Sequence, residues 1–217
     1  MLAGLVLLAG CGSLDINLNT SYQPSGDYTQ KLIYTATGPI GEALAAAAGQ
    51  LTGSQDGWQI SVESDDQGTT LTASRSFGKD EVFAFPADSG DTPPQLSFER
   101  SNFIVFTNYR FQATIPAGSE WGMSGETDLV GLDVLNQIFN ISWTVNMPGE
   151  IAESNADTVD GDAATWNLEF TDLNTGVTLT AESRLMNWAA IYGVSAVLAM
   201  ALIAVILLLL RRRAQIT

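Results

Sequence analysis

The sequence predicts an α+β fold, a predominantly antiparallel β-sheet domain with one or two helices, followed by a single C-terminal transmembrane helix. Three observations predict it. Apolar and polar residues alternate with period two in several central segments, which is typical of half-buried strands. One alanine-rich central segment has the composition of a helix. An apolar run of 23 residues without a charge, residues 188–210, is long enough to cross a bilayer.

Strands are expected where the alternation is clearest. In residues 139–147 every second residue from Phe139 to Met147 is apolar, and the residues between them are polar. Residues 65–68 and 174–176 have the composition of turns between strands. The other predicted strands are residues 14–18, 28–37, 58–63, 71–73, 103–115, 165–170 and 177–181.

Two helices are predicted within the domain. Residues 40–51 are rich in alanine and follow Gly38 and Pro39, and proline suits the first turn of a helix. Residues 128–139 place leucine and isoleucine at near-helical spacing, which indicates a short helix before the long strand. Residues 87–95 form a cluster of turn residues, which predicts an exposed loop.

Charge and composition exclude several functions. All 24 acidic residues lie between Asp15 and Glu182, and six basic residues share that segment, so its net charge is near −18 (6 minus 24). Nucleic acid is therefore a poor partner, although the charge also suits a domain that merely needs to stay soluble. The chain has no histidine, and its one cysteine is Cys11. These absences exclude a serine–histidine triad, histidine-ligated metals and an internal disulfide.

Carboxylates remain as possible metal ligands. The candidates for Ca²⁺ form two groups: Glu63, Asp65 and Asp66, and then Asp157, Asp160 and Asp162. Neither group has the twelve-residue spacing of an EF-hand loop, and Asp-Gly sequences are more often turns. We therefore expect no metal and no cofactor.

The N-terminus resembles a bacterial lipoprotein signal. Residues 1–10 are apolar, and Leu8-Ala9-Gly10-Cys11 fits the lipobox, a leucine and two small residues before a cysteine. The resemblance implies that residues 1–10 are a signal peptide and that Cys11 is diacylated and becomes the mature N-terminus. No Lys or Arg precedes the apolar run, as such signals usually have. The alternative is a chance cysteine after an ordinary secretory peptide.

The C-terminus predicts an orientation in the membrane. Residues 187–210 form the predicted transmembrane helix, with Trp188 and Tyr192 at one end, where aromatic rings favour the membrane interface. Arg211, Arg212 and Arg213 close the other end and place residues 211–217 in the cytoplasm as a basic tail. Residues 11–186 are then an extracytoplasmic domain on the cell membrane, which agrees with the lipobox.

One stretch of the domain resembles a known family. Residues 145–151, which contain Pro148-Gly149, are followed by Ser154-Asn155, Asp160-Gly161 and residues 165–168 with Trp166. This succession is similar to the signature of LppM-type envelope lipoproteins. The resemblance implies a β-rich domain with a helix and, for mycobacterial members, binding of mannosylated phosphoinositides. The matching residues have the character of turn and core positions, so no ligand contact is carried over.

Two functions remain after these exclusions. The first is a noncatalytic module that binds an envelope lipid, a glycolipid or a membrane protein, with Trp143 and Trp166 as candidate pocket walls. Either tryptophan is also explained as part of an ordinary closed core. The second is a glycosidase-like envelope hydrolase that uses two carboxylates. A deep apolar pocket would favour the first, and two facing carboxylates in a polar cleft the second.

Overall fold

A computed structural model describes residues 12–51, 57–81, 95–117 and 136–214, with side chains described outside residues 48–51 and 205–214. Eleven strands in these ranges form two sheets. Their bounds are β1 Leu14–Tyr22, β2 Tyr28–Ala36, β3 Gln59–Ser64, β4 Thr69–Phe77, β5 Gln95–Asn102, β6 Phe106–Ile115, β7 Phe139–Asn146, β8 Glu150–Ser154, β9 Thr158–Asp160, β10 Ala163–Leu168 and β11 Val177–Met186. The seven-stranded sheet has the order β3-β4-β2-β1-β7-β10-β9, and the four-stranded sheet has the order β5-β6-β11-β8.

Three helices complete the described chain. They are α1 Gly38–Leu51, α2 Phe170–Thr175 and α3 Trp188–Ala214. Residues 136–138 are also helical and lead directly into β7, whereas the rest of the predicted helix at 128–139 and the predicted loop at 87–94 lie outside the described residues. The prediction of an α+β fold made mainly of β-sheet is confirmed.

Strand β1 lies in the middle of the seven-stranded sheet. It pairs antiparallel with β2 along its whole length, with Leu14 opposite Ala36. On its other side it pairs in parallel with β7, with Leu14 opposite Phe139. The sequence predicted antiparallel pairing, and this pair is the exception among the described ladders. Parallel neighbours need a long crossover connection, and β2 to β6 with α1 supply it here.

The two sheets share one core. Phe111 of β6 lies with its ring centroid 6.2 Å from that of Trp143 on β7 and 6.1 Å from that of Trp166 on β10. The alternation predicted for residues 139–147 produces this arrangement, because Trp143, Val145 and Met147 point into the core.

Several observed elements differ from those that the sequence predicted. Phe170 was predicted to end a strand but begins α2, because Glu169 and Asp172 form a reciprocal capping box at this point. Residues 103–105 were predicted as strand but form the turn between β5 and β6. Strands β5, β8 and β9 had not been predicted from the sequence.

The domain has two distinct ends, of which the first is the helix end. Here Asn187, between β11 and α3, donates its backbone N–H to the carbonyl of Val105 in the β5–β6 turn (2.8 Å). Arg100 of β5 donates to the carbonyl of Pro24 in the β1–β2 turn (3.1 Å). The helix end therefore gathers both turns and the start of α3.

The opposite end, called the amino-terminal end, contains the start of β1, the start of α1, α2 and the β3–β4 turn. Ser13 donates its backbone N–H to the hydroxyl of Thr37 there (2.9 Å), which fixes the chain two residues after Cys11. Eight residue steps along β1 separate Leu14 from Tyr22 at the helix end, a span of roughly 26 Å at 3.3 Å per residue.

Helix α3 exposes apolar side chains in successive turns. In the part of it whose side chains are described, Tyr192, Leu198 and Leu202 are all more than 60% exposed. Within the described residues, no helix was found to combine the length and the apolar character that crossing a membrane requires.

Candidate functional site

The two candidate pocket walls lie side by side in the core. Trp143 and Trp166 are directly opposite each other on β7 and β10, and their exposed fractions are 1% and 3%. The indole N–H of Trp166 donates to Asn155 (2.9 Å). The open hollows described below have other residues in their walls. A role of either tryptophan as a pocket wall stays a prediction.

A buried hydrogen-bond chain runs from Trp143 into β1 and β2. The indole N–H of Trp143 donates to Thr20 Oγ1 (2.9 Å), and the Thr20 hydroxyl donates to Gln30 Oε1 (2.6 Å). Thr20 and Gln30 are completely buried. The Gln30 Nε2 has no hydrogen-bond partner among the described residues. A buried donor without a partner lowers the free energy of unfolding by about 1–3 kcal/mol. Removing or pairing the polar groups of this hydrogen-bond chain must therefore change the stability of the protein.

Aromatic side chains from both sheets pack against one another near the helix end. Tyr22 stacks on Phe98 of β5 with ring centroids 4.1 Å apart and lies 5.2 Å from Tyr28. Burial raises the pKa of Tyr22, and the nearby Tyr28 raises it further. Burial and the Glu81 carboxylate raise the pKa of Tyr28 to about 12, against a lowering by Arg75. Both phenols are therefore protonated and neutral near pH 7.

The carboxylates of the first predicted calcium group serve a turn. Asp65 Oδ1 accepts the backbone N–H of Gln67 (2.8 Å) and of Gly68 (3.1 Å), which is an Asx-type turn between β3 and β4. A hollow of about 430 Å³ beside this turn is lined by hydroxyls together with Glu63 and Asp65.

In the second group Asp157 accepts the backbone N–H of Asn167 (2.7 Å), and Asp160 and Asp162 flank the turn between β9 and β10. Among the described residues no group of three acidic, histidine or cysteine side chains is arranged to hold a metal ion.

The outer face of the four-stranded sheet carries a second open hollow of about 450 Å³. Its walls include two carboxylates, Glu153 and Glu182, which lie opposite each other on β8 and β11. Glu182 forms an ion pair with Arg110 (2.6 Å). Glu153 and Glu182 are thus a pair of facing carboxylates in a polar cleft, which is the arrangement that the hydrolase hypothesis requires.

Exposed apolar side chains gather at the helix end. The exposed apolar cluster consists of Phe103 (54%), Ile104 (76%), Leu185 (39%), Met186 (45%) and Trp188 (59%). Exposed apolar patches mark interaction surfaces, and here Phe103 adjoins Phe106, which lies opposite Met186 in the ladder between β6 and β11. The sequence prediction missed this site because residues 103–106 read as part of a strand. The signal that could have found it is four consecutive apolar residues, Phe-Ile-Val-Phe, where alternation stops.

The cluster is held by a defined backbone. Phe103 N–H donates to the carbonyl of Phe106 (2.8 Å), which closes the turn, and the two rings lie 4.6 Å apart. The guanidinium of Arg184 lies 4.8 Å from the centroid of the Phe106 ring. The apolar side chains are thus presented by a hydrogen-bonded hairpin next to a cation.

The remaining predicted site residues lie at the two termini. Cys11 lies outside the described residues. Arg211, Arg212 and Arg213 lie in the last turn of α3.

Comparison with known proteins gives one structural likeness. No family model matches the sequence, and no curated protein matches it. The folded domain of the LppM protein of Mycobacterium tuberculosis, solved by NMR, aligns over 80% of this chain and 91% of its own, with 14% identity and a TM-score of 0.41.

Proposed function

We propose that the chain is a bacterial envelope lipoprotein whose β-rich domain is a noncatalytic binding module held at the outer face of the cell membrane. Its ligand would be an envelope lipid, a glycolipid or a membrane protein.

The observation that carries this proposal is the surface of α3. The side chains of Trp188, Tyr192, Leu198 and Ile203 are between 56% and 68% exposed. A helix that is apolar on all sides is stable where lipid or protein surrounds it. The uncharged run continues to Leu210, past Ala204, the last residue of α3 whose side chain is described. Lipid around α3 would remove this surface from water.

The second attachment rests on the lipobox. A lipid on Cys11 would emerge beside Ser13 and Thr37, which are hydrogen-bonded to each other. Two acyl chains on one cysteine give stable anchoring, but a transmembrane helix is held more firmly still and its insertion is effectively irreversible. We therefore assign retention in the membrane to α3 and the placement of the amino-terminal end to the lipid.

A binding role agrees better with the carboxylates than hydrolysis does. A glycosidase needs one carboxyl group in apolar surroundings to act as general acid. Glu153 is exposed to solvent, and Glu182 is engaged by Arg110. Hydroxyl and amide groups of Gln112, Ser154 and Asn155 share that hollow, and such groups suit recognition of a polar headgroup or a protein surface.

The attachment is tested with two variants of the full chain. Cys11→Ser should abolish acyl labelling, while the protein stays in the membrane fraction after alkaline carbonate extraction. Cys11→Ser combined with a stop codon at Asn187 should leave the protein in the supernatant. Release of Cys11→Ser alone would show that α3 does not hold the chain. Protease added to intact spheroplasts should digest residues 12–186, and full protection would overturn the orientation.

The binding role is tested by native mass spectrometry of the detergent-extracted full chain, which should show a co-purifying lipid or protein mass. Glycan hydrolysis that is lost in Glu182→Gln and retained in the control Glu63→Gln would instead favour the hydrolase.

A further inference from the structure

We propose that the β5–β6 hairpin tip, residues 103–105, inserts into the interfacial layer of the same membrane leaflet that α3 enters, and so fixes the tilt of the domain. This inference rests on the proposed attachment of α3 to the membrane and adds a second contact to it.

The tip is continuous with the start of α3. Asn187, the residue before α3, donates its backbone N–H to Val105 of the tip (2.8 Å). Met186 lies opposite Phe106 in the ladder between β11 and β6. Val105 of the tip therefore lies one strand spacing, about 4.8 Å, from the residue that precedes α3, so the tip is next to the place where α3 begins.

The side chains of the tip have the chemistry of a membrane interface. Phe103 and Ile104 are 54% and 76% exposed, although they belong to a closed turn and not to a loose segment. Trp188 and Tyr192, with rings 6.2 Å apart, lie at the start of α3, which Asn187 links to the tip, and tryptophan and tyrosine favour the interface between lipid and water. An apolar tip beside aromatic rings fits the boundary between headgroups and acyl chains.

The charges around the tip permit this contact, although the domain as a whole is strongly acidic. Residues 101–109 and 183–210 contain no aspartate or glutamate. The closest acidic residues along the paired strands are Glu99, opposite Arg110, and Glu150, opposite Arg184. The exposed Arg184 lies over the Phe106 ring and offers its charge to lipid phosphates, as long basic side chains do at membrane interfaces. The tip and the start of α3 thus carry no acidic residue of their own, and the Glu99 and Glu182 carboxylates that share a hollow with Phe103 lie there together with Arg110.

The experiment uses spin labels on the full chain in vesicles of phosphatidylethanolamine and phosphatidylglycerol. In a Cys11→Ser background, which has no other thiol, single cysteines are placed at the tip (Ile104→Cys), in α3 (Leu198→Cys) and in the middle of the edge strand β3 (Ser61→Cys). Phe103→Cys serves as a second tip variant. The relaxation of each spin label is measured with oxygen, which concentrates in the bilayer, and separately with a nickel chelate, which stays in water.

The label at Ile104 should relax faster with oxygen than with the nickel chelate, as at Leu198 and in the reverse order to Ser61. If Leu198 follows oxygen while Ile104 follows the nickel chelate as Ser61 does, the tip is in water, and the inference fails while the attachment of α3 stands. If Leu198 also follows the nickel chelate, the attachment itself fails. A label at Ile104 that is shielded from both reagents would show a protein contact and would also overturn the inference.

Discussion

The two ends of the domain differ in how their apolar surface is covered. At the amino-terminal end α2 lies over the start of β7, where Phe139 and Phe170 meet edge to face with ring centroids 5.4 Å apart, and Leu173 is buried. At the helix end Phe103, Ile104 and Met186 remain exposed. Among the described residues, the strongly exposed large apolar side chains are those of the helix end, of α3 and of Val159 on edge strand β9.

This difference teaches how an attached domain must lie. Ser13, two residues after Cys11 in the sequence, lies at the amino-terminal end, and α3 leaves from the helix end, roughly 26 Å away along β1. A chain attached through both must therefore rest with β1 along the membrane surface, because an upright domain would lift one attachment away from it. A chain attached through α3 alone is free to stand upright on the helix end. Three pairs of substitutions, one member at each end, sharpen the comparison.

The largest effect is expected from glycines that approach a neighbouring backbone. Gly149 at the helix end has φ +88°, and an added Cβ would collide with the Arg184 carbonyl. Gly149→Ala should lower the free energy of unfolding by about 2–5 kcal/mol, from the left-handed backbone and the collision together. Gly68→Ala at the amino-terminal end meets only the collision, with the Ala36 carbonyl, and should cost about 1–3 kcal/mol.

The measurement is the urea midpoint of the full chain in detergent, followed by tryptophan fluorescence. Gly161→Ala is the matched control, because its φ is +61° but an added Cβ meets open space. Equal losses for Gly149→Ala and Gly161→Ala would show that the close approach to β11 contributes nothing.

An intermediate effect is expected from threonine hydroxyls. Thr20→Val would leave both the Trp143 indole N–H and Gln30 Oε1 without their buried partner, at a cost of about 2–4 kcal/mol. Thr37→Val at the amino-terminal end removes a part-buried bond to Ser13, and water can replace it, so we expect about 0.5–1.5 kcal/mol. Thermal unfolding by circular dichroism distinguishes the two. A Thr20→Val protein as stable as Thr37→Val would contradict a stabilising role of the buried chain.

The smallest effect at neutral pH is expected from the tyrosines, and it appears only in alkali. The folded pKa of Tyr28 is about 12, above its ordinary value of 10.0, so above pH 10 the unfolded state binds fewer protons than the folded one. Stability should therefore fall as the pH rises from 10 towards 12. Tyr28→Phe should flatten this decline, and so should Tyr34→Phe, since burial raises the pKa of Tyr34 as well. An unchanged alkaline decline in both variants would mean that neither phenol causes it.

The elements that the sequence predicted have one solvent-exposed face and one buried face. The strand at residues 139–147 could be predicted because apolar and polar residues alternate along it. The structure buries Trp143 and Val145 on one face and exposes Asn140 on the other. Helix α1 was found from its alanines. In both cases local composition and burial carry the same signal.

Two of the three missed strands lack that signal, whereas β5 has a short alternation in which Leu96 and Phe98 are partly buried. All three residues of β9 are exposed, and β8 has one partly buried residue, so neither shows alternation. The exposed apolar cluster was missed because it depends on β11 bringing Met186 opposite Phe106, a pairing between distant parts of the chain. The parallel pairing of β1 with β7 is invisible locally for the same reason.

That parallel pairing also has a consequence for folding. The hydrogen bond from Ser142 to Asn17 joins residues 125 positions apart, so one edge of β1 stays unpaired until β7 has been synthesised. Strands β1 and β2 form a hairpin that can close early, but its free edge is then a template for pairing with other chains. Proteins dominated by such distant pairings fold slowly. A chaperone would therefore be most useful to this protein while that edge of β1 is still unpaired.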